Sequence, residues 1–124
     1  MSSEKKRKLI NLLSICIKSG MAAKGFDAVC EALKGGKAFC VMTASDASGK
    51  TVKETAYMCK KYGADLIETE ITKEELGKHT GKKNTAVVAV LGSGFAKSFR
   101  EIAGPAMEKA AKAEEASGSS GSGE

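Results

Sequence analysis

The sequence predicts an α/β fold: a three-layer α/β/α sandwich around a small mixed sheet of about four strands. Three observations predict it. Apolar runs of strand length, AFCVMTA, ADLIE and TAVVAVL, recur through the first 104 residues. Between them lie segments whose apolar residues repeat at helical spacing, bounded by glycines and Ser/Thr caps. The central runs are apolar at successive positions, as strands covered on both faces are.

Each element has its own local reason. Residues 4–19 place Leu9, Leu12, Leu13 and Cys16 on one helical stripe, and Gly20 ends it. Residues 21–25 form a short link with room for a brief strand. A second helix, 26–34, turns Val29, Ala32 and Leu33 inward and stops at Gly35-Gly36, and AFCVMTA follows as a buried strand. Thr51 and Glu54 have the T-x-x-E spacing of a capping box and open a third helix, with Val52, Ala56 and Cys59 inward and Gly63 as its stop. ADLIE is the next strand. Thr72 and Glu75 repeat the capping-box spacing before a short helix at about Glu74 to Lys78. HTGKKN is a basic loop, TAVVAVL the strongest core strand, and Gly92-Ser93-Gly94 leads into a last core helix from Phe95 to Ala103. Residues 1–104 make one domain. Residues 105–124 form an extension, with Pro105 opening a helix over AMEKAAKAEEA and SGSSGSGE expected to be disordered.

Composition narrows the function. The 124 residues are 42% hydrophobic and 28% charged, as in a globular domain. Asn11 and Ser14 interrupt the apolar run after MSSEKKRK, so it reads as an amphipathic helix rather than a signal peptide, and no run approaches membrane-spanning length. A cytoplasmic monomer is expected. Residues 1–104 hold 18 lysines and arginines against 11 acids, a net +7. The last twenty residues hold two against four, bringing the chain to +5. A basic body suits a polyanionic partner.

Catalytic chemistry is not expected. Cys16, Cys30, Cys40 and Cys59 contain no C-x-x-C pair and read as buried free thiols, and one histidine, His79, is placed on an exposed helix end or loop. Glu74-Glu75 complements a helix dipole. ASDASGKT, residues 44–51, falls one glycine short of a phosphate-binding P-loop, with Ala44 at the missing position and Asp46 inside the would-be nest. A strand-to-helix turn capped by Ser48 or Thr51 is the reading preferred. No cofactor or metal is implied.

The stretch KGFDAVCEALKGGKAFCVM, residues 24–42, aims a helix start at something anionic, yet places Asp27 and Glu31 on its first turns. With LLSICIKSGMAAKG, ALKGGKAFCVMTASDAS, the Lys-Tyr-Gly ending the third helix and AVVAVLGSGFAKSF in this order, the chain resembles the ribosomal L-seven-Ae superfamily over residues 5–103, and its short bacterial ribosomal-protein-like members in particular. The resemblance implies an α/β/α fold and binding of structured, kink-turn-type RNA. It places a glycine at Gly25, the base- and phosphate-reading Asn, Glu and Lys positions on Asp27, Ala28 and Glu31, and a closing loop after the last strand on Leu91, Gly92, Ser93 and Gly94.

Lys24, Lys34 and Lys37 flank this frame as phosphate contacts or a solvated face. Phe26 is either a stacking platform or a staple on the second helix. The expectation is a non-enzymatic RNA-binding protein, with ribosomal RNA among its candidate targets. The alternative is a protein-interaction module in which Asp27, Glu31 and the acidic tail face a basic protein. The RNA reading requires the Gly25 and Gly92 segments to lie side by side.

Overall fold

The helix α1 (Ser3–Lys18) buries Leu9, Leu13 and Cys16, the stripe expected from their spacing, and Leu12 is half-buried at its margin. The computed structural model describes residues 3–81 and 84–103. The expected helix after Pro105 and the Ser/Gly-rich tail lie outside the described residues, as do Lys82 and Lys83 of the basic loop. A short strand, β1 (Ala22–Lys24), occupies the predicted link. The order continues as α2 (Phe26–Lys34), β2 (Cys40–Thr43), α3 (Gly49–Tyr62), β3 (Asp65–Glu68), α4 (Lys73–Thr80), β4 (Val87–Val90) and α5 (Ser93–Ala103).

The sheet is mixed and four-stranded, in the order β1-β4-β2-β3. β4 runs antiparallel to both neighbours, pairing Lys24 with Val88 and Thr43 with Val87, and β2 pairs parallel with β3. The carboxyl ends of β1, β2 and β3 therefore share one edge with the start of β4.

Side chains alternate across the pleat. Cys40, Met42, Ile67, Val88 and Val90 pack with Leu9 and Leu13 of α1, Leu76 of α4 and Phe99 of α5. Val41, Val87 and Ala89 pack with Val29 and Leu33 of α2 and Cys59 of α3. The result is the expected three-layer sandwich, with α1, α4 and α5 on one face and α2 and α3 on the other.

Two capping expectations separate. Thr72 and Glu75 form the predicted box, with the Glu75 N–H donating to Thr72 Oγ1 at 3.1 Å and the Thr72 N–H donating to Glu75 Oε1 at 2.9 Å. Thr51 does not cap α3. Ser48 does, its Oγ accepting from the Thr51 N–H at 3.1 Å, so α3 starts a turn earlier than the Thr51–Glu54 spacing suggested. Its inward face shifts accordingly: Thr55 and Cys59 are buried, while Val52 and Ala56 are half-buried. His79 is also not on an exposed end. It sits half-buried in the last turn of α4, one turn beyond buried Leu76, with Nδ1 3.2 Å from Ser14 Oγ of α1.

Cys16, Cys40 and Cys59 are buried free thiols, whereas Cys30 is half-buried on α2. Burial pushes the Cys16 thiol up to about 11 and Cys40 to about 12. Neither is a thiolate near neutrality.

Phe99 is fully buried and Tyr57 is 64% exposed. Phe99→Ala is expected to cost about 3–5 kcal/mol in urea unfolding, and Tyr57→Ala less than about 0.5 kcal/mol; similar losses would contradict this core. Glu75 provides a second check. The Thr72 amide, then Lys6 at 3.1 Å, lower its carboxyl below the ordinary 4.5. A carboxyl depressed in the folded state stabilises above its unfolded value and loses that contribution as pH falls through the folded one. The stability gap between the parent chain and Glu75→Gln, measured by urea unfolding, should therefore be largest near pH 7 and shrink below pH about 4.5.

Candidate nucleic-acid interface

The candidate site is built on the sheet edge where β1, β2 and β3 end. In open α/β sheets, ligands settle at the carboxyl ends of strands, where helix N-termini collect. Here that edge gathers the starts of α2, α3 and α4.

Gly25 turns the chain from β1 into α2. Its backbone stands at φ 97°, ψ 157°, a region essentially restricted to glycine, and it occupies the N-cap position without a side chain to cap the helix. Its own N–H donates to the Val87 carbonyl at 3.1 Å, and its carbonyl accepts the first helical bond from Val29 at 2.9 Å. The first-turn amides of α2 are left without a side-chain cap, and such amides suit an anionic or hydrogen-bond-accepting ligand.

Lys24 precedes this turn. Asp27 is exposed, Ala28 is half-buried, and Glu31 is exposed one turn further along α2. Phe26 is half-buried and packs against the cluster beneath α2 and α3, which fits the staple reading, while part of its ring stays accessible. Asp27 and Glu31 thus place two carboxylates on the exposed side of the first turns of α2.

The rest of this edge is tied internally. The Ala44 and Ser45 amides donate to the Ala86 and Ile71 carbonyls, and Asp46 Oδ1 accepts from the first amide of α4, at Lys73, at 2.8 Å. Thr85 donates back to Lys73. The P-loop-like run 44–51 thus spends its first two amides and its aspartate on neighbouring loops.

The expected pairing of the two glycine segments fails. Gly25 bonds to Val87 at the start of β4, whereas the Leu91 N–H bonds to the Met21 carbonyl beyond its end. These points are about 13 Å apart along the strand and belong to opposite edges of the sheet. The physical reason is the antiparallel register of β1 on β4. The segment that neighbours Gly25 is the one entering β4 at Val87, just after Thr85 and Ala86.

Ser93 and Gly94 are also not loop residues. They form the first turn of α5, and Leu91 and Gly92 alone connect it to β4. Leu91, Gly92, Ser93 and Gly94 accompany Lys34, at the end of α2, and Lys37, which precedes β2, at the opposite edge. A Cβ on Gly92 would stand 3.1 Å from Met21 Cε and 3.2 Å from Phe95 Cδ2, so this glycine serves a close packing contact. An open hollow of about 570 Å³ lies there, between Leu12, Met21, Phe95 and Ser98.

Two side chains near the α2 start escaped the sequence reading. Lys53 and Tyr57 project from α3 into a groove that begins at Phe26. Their i,i+4 spacing on the outer face of a predicted helix was the available signal. Among the described residues, no group of three or more His, Cys, Asp or Glu side chains is placed to hold a metal, and no helix is long and apolar enough to cross a membrane.

A mixed sheet sandwiched between helical layers, with an uncapped helix start at its carboxyl edge, defines a small α/β/α domain of the ribosomal-protein type. The profile of the Ribosomal protein L7Ae/L30e/S12e/Gadd45 family matches residues 7–100, and the chain belongs to that family. Among solved structures it is similar to a Bacillus halodurans C protein of unknown function, with 24% identity and TM-score 0.70 over 75% of this chain and 93% of the other. It is also similar to the Giardia lamblia 15.5kD RNA binding protein, with 22% identity and TM-score 0.71 over 89% and 92% of the respective chains. No curated protein matches it in sequence at a significant level.

The glycine requirement is testable. Gly25→Ala forces a side chain into φ 97° and should cost about 1–3 kcal/mol in urea unfolding. Gly94→Ala, with nothing within 4 Å of its new Cβ, should be neutral or stabilising by up to about 1 kcal/mol. The reverse order would mean that Gly25 does not hold this backbone.

Proposed function

We propose that this protein is a non-enzymatic RNA-binding protein that docks structured RNA, as a monomer, on the sheet edge at the start of α2. The observation that carries this reading is the glycine-only backbone of Gly25, which follows Lys24, bonds to the start of β4 at Val87 and opens α2 without a side-chain cap. Family membership and the +7 body support it. The RNA binding named for the Giardia lamblia neighbour is the activity this reading extends to the present chain.

Each residue of the edge has a defined part. The first-turn amides accept the close approach of RNA oxygens that Gly25, lacking a Cβ, permits. Lys24 neutralises a phosphate. Asp27 accepts a hydrogen bond from a base amino group, as carboxylates do. Ala28 supplies no base-reading group, and Glu31 repels the backbone. Binding therefore rests on the shape and amides of the α2 start, with weak kink-turn discrimination. Leu91–Gly94 and Lys37 form no single surface with Gly25.

The test is an electrophoretic titration with a kink-turn RNA and an unrelated hairpin at two salt concentrations. A saturable shift that weakens as salt rises is expected for the kink-turn RNA. Ala28→Glu combined with Glu31→Lys should tighten kink-turn binding by tenfold or more, about 1.4 kcal/mol. Absence of a saturable shift with either RNA in both parent and variant would overturn the reading and favour a protein-interaction module.

A further inference from the structure

The outer face of α3 is open to solvent. Lys50, Lys53, Glu54, Tyr57, Lys60 and Lys61 are all exposed there, four lysines against one glutamate. Tyr57 is 64% exposed, more than Ile15 at 55% or Phe39 at 39%. Between α3 and α2 runs an open groove of about 470 Å³, lined by Phe26, Cys30 and Lys34 on one wall and Lys53, Tyr57 and Met58 on the other. Its size falls within the range of ligand clefts. Its walls combine two aromatic rings and a thioether with an ammonium group from each helix, and Glu54 adds one carboxylate on the α3 side.

The groove is continuous with the α2 start, because Phe26, which lines it, directly follows Gly25. Thr55 and Cys59, on the opposite side of α3, already carry the packing of the helix. Tyr57 contributes no burial that would explain a ring at this position. An aromatic surface flanked by lysines is the arrangement that binds single-stranded nucleic acid, since every base offers a π-face for stacking and every phosphate a charge for an ammonium.

We propose that the α2–α3 groove is a second RNA subsite, which takes an unpaired nucleotide flanking the structured element, with its base stacked on Tyr57 against Phe26 and its phosphates on Lys53 and Lys34. This rests on the RNA reading of the α2 start and extends the path of the strand across α3. Glu54, on the same rim, disfavours a second phosphate at that point, so the subsite holds one nucleotide rather than a continuous strand.

The experiment compares a kink-turn RNA with the same RNA carrying a short single-stranded uridine extension, placed in turn at either end. One extended RNA is expected to bind on the order of tenfold more tightly than the blunt one. Tyr57→Ala and Lys53→Glu should each remove that gain while leaving the affinity for blunt RNA within about twofold. Circular dichroism establishes that both variants are folded. The chain has two tyrosines and no tryptophan, so a Tyr62→Phe background leaves Tyr57 as the sole reporter. Its fluorescence should be quenched by the extended RNA and not by the blunt one.

If blunt and extended RNAs bind equally tightly, the groove proposal is overturned while the α2 reading stands. If the gain survives in both variants, the extension binds elsewhere and the proposal is equally overturned. If no RNA of either form binds, the reading beneath it falls as well.

Discussion

The antiparallel placement of β4 between β1 and β2 is the constraint on which the molecule depends. It aligns Gly25 with Val87 and Met21 with Leu91 through two backbone hydrogen bonds at opposite ends of one strand pair. Because β1, β2 and β3 all point the same way, their carboxyl ends and the starts of α2, α3 and α4 converge on one edge. Buried strand amides must be paired, so this register cannot slip without exposing polar groups and turning Val88 and Val90 away from the α1–α5 layer. The same pairing that holds the core therefore decides which segments can form a surface together.

Much of the architecture is legible in the residues. Helical stripes such as Leu9–Leu13–Cys16 and Val29–Ala32–Leu33 are buried as their spacing requires, and the Thr72–Glu75 box forms as read. The failures share one cause: local spacing does not say which of several competent groups is used. Ser48 and Thr51 are both good caps, and the chain uses the earlier one, because Gly49 and Lys50 accept helical backbone. His79 lies three residues from Leu76, so burying Leu76 against α1 draws the imidazole half inside with it. Of the candidate site, the glycine turn at Gly25 and the helix that starts after it were legible as local structure. Its second half was misplaced, because the choice between the loop before β4 and the loop after it is settled by strand direction, which linear order does not contain.

Electrostatics at the α2 start does not depend on side chains alone. The helix dipole and uncapped amides belong to the backbone and persist whatever stands at positions 27, 28 and 31. Asp27 lies where an acid is favoured by the same dipole that would attract a phosphate, so it stabilises the helix while competing with a ligand. Asp46 shows another use of an acid at this edge, since its carboxylate accepts from the first amide of α4.

The division of labour across α3 completes this logic. Thr55 and Cys59 face the core, and nothing in the fold demands a ring at Tyr57 or an ammonium at Lys53. Phe26 joins the two regimes. Its buried part belongs to the cluster under α2 and α3, and its accessible part opens the groove directly beside the glycine turn. A base stacked there would therefore press on a ring whose position is set by core packing rather than by a mobile loop, and such preorganisation lowers the ordering cost of binding. Recognition on this edge, as proposed, would draw its rigidity from the β4 register, and its chemistry from side chains that the register leaves free to vary.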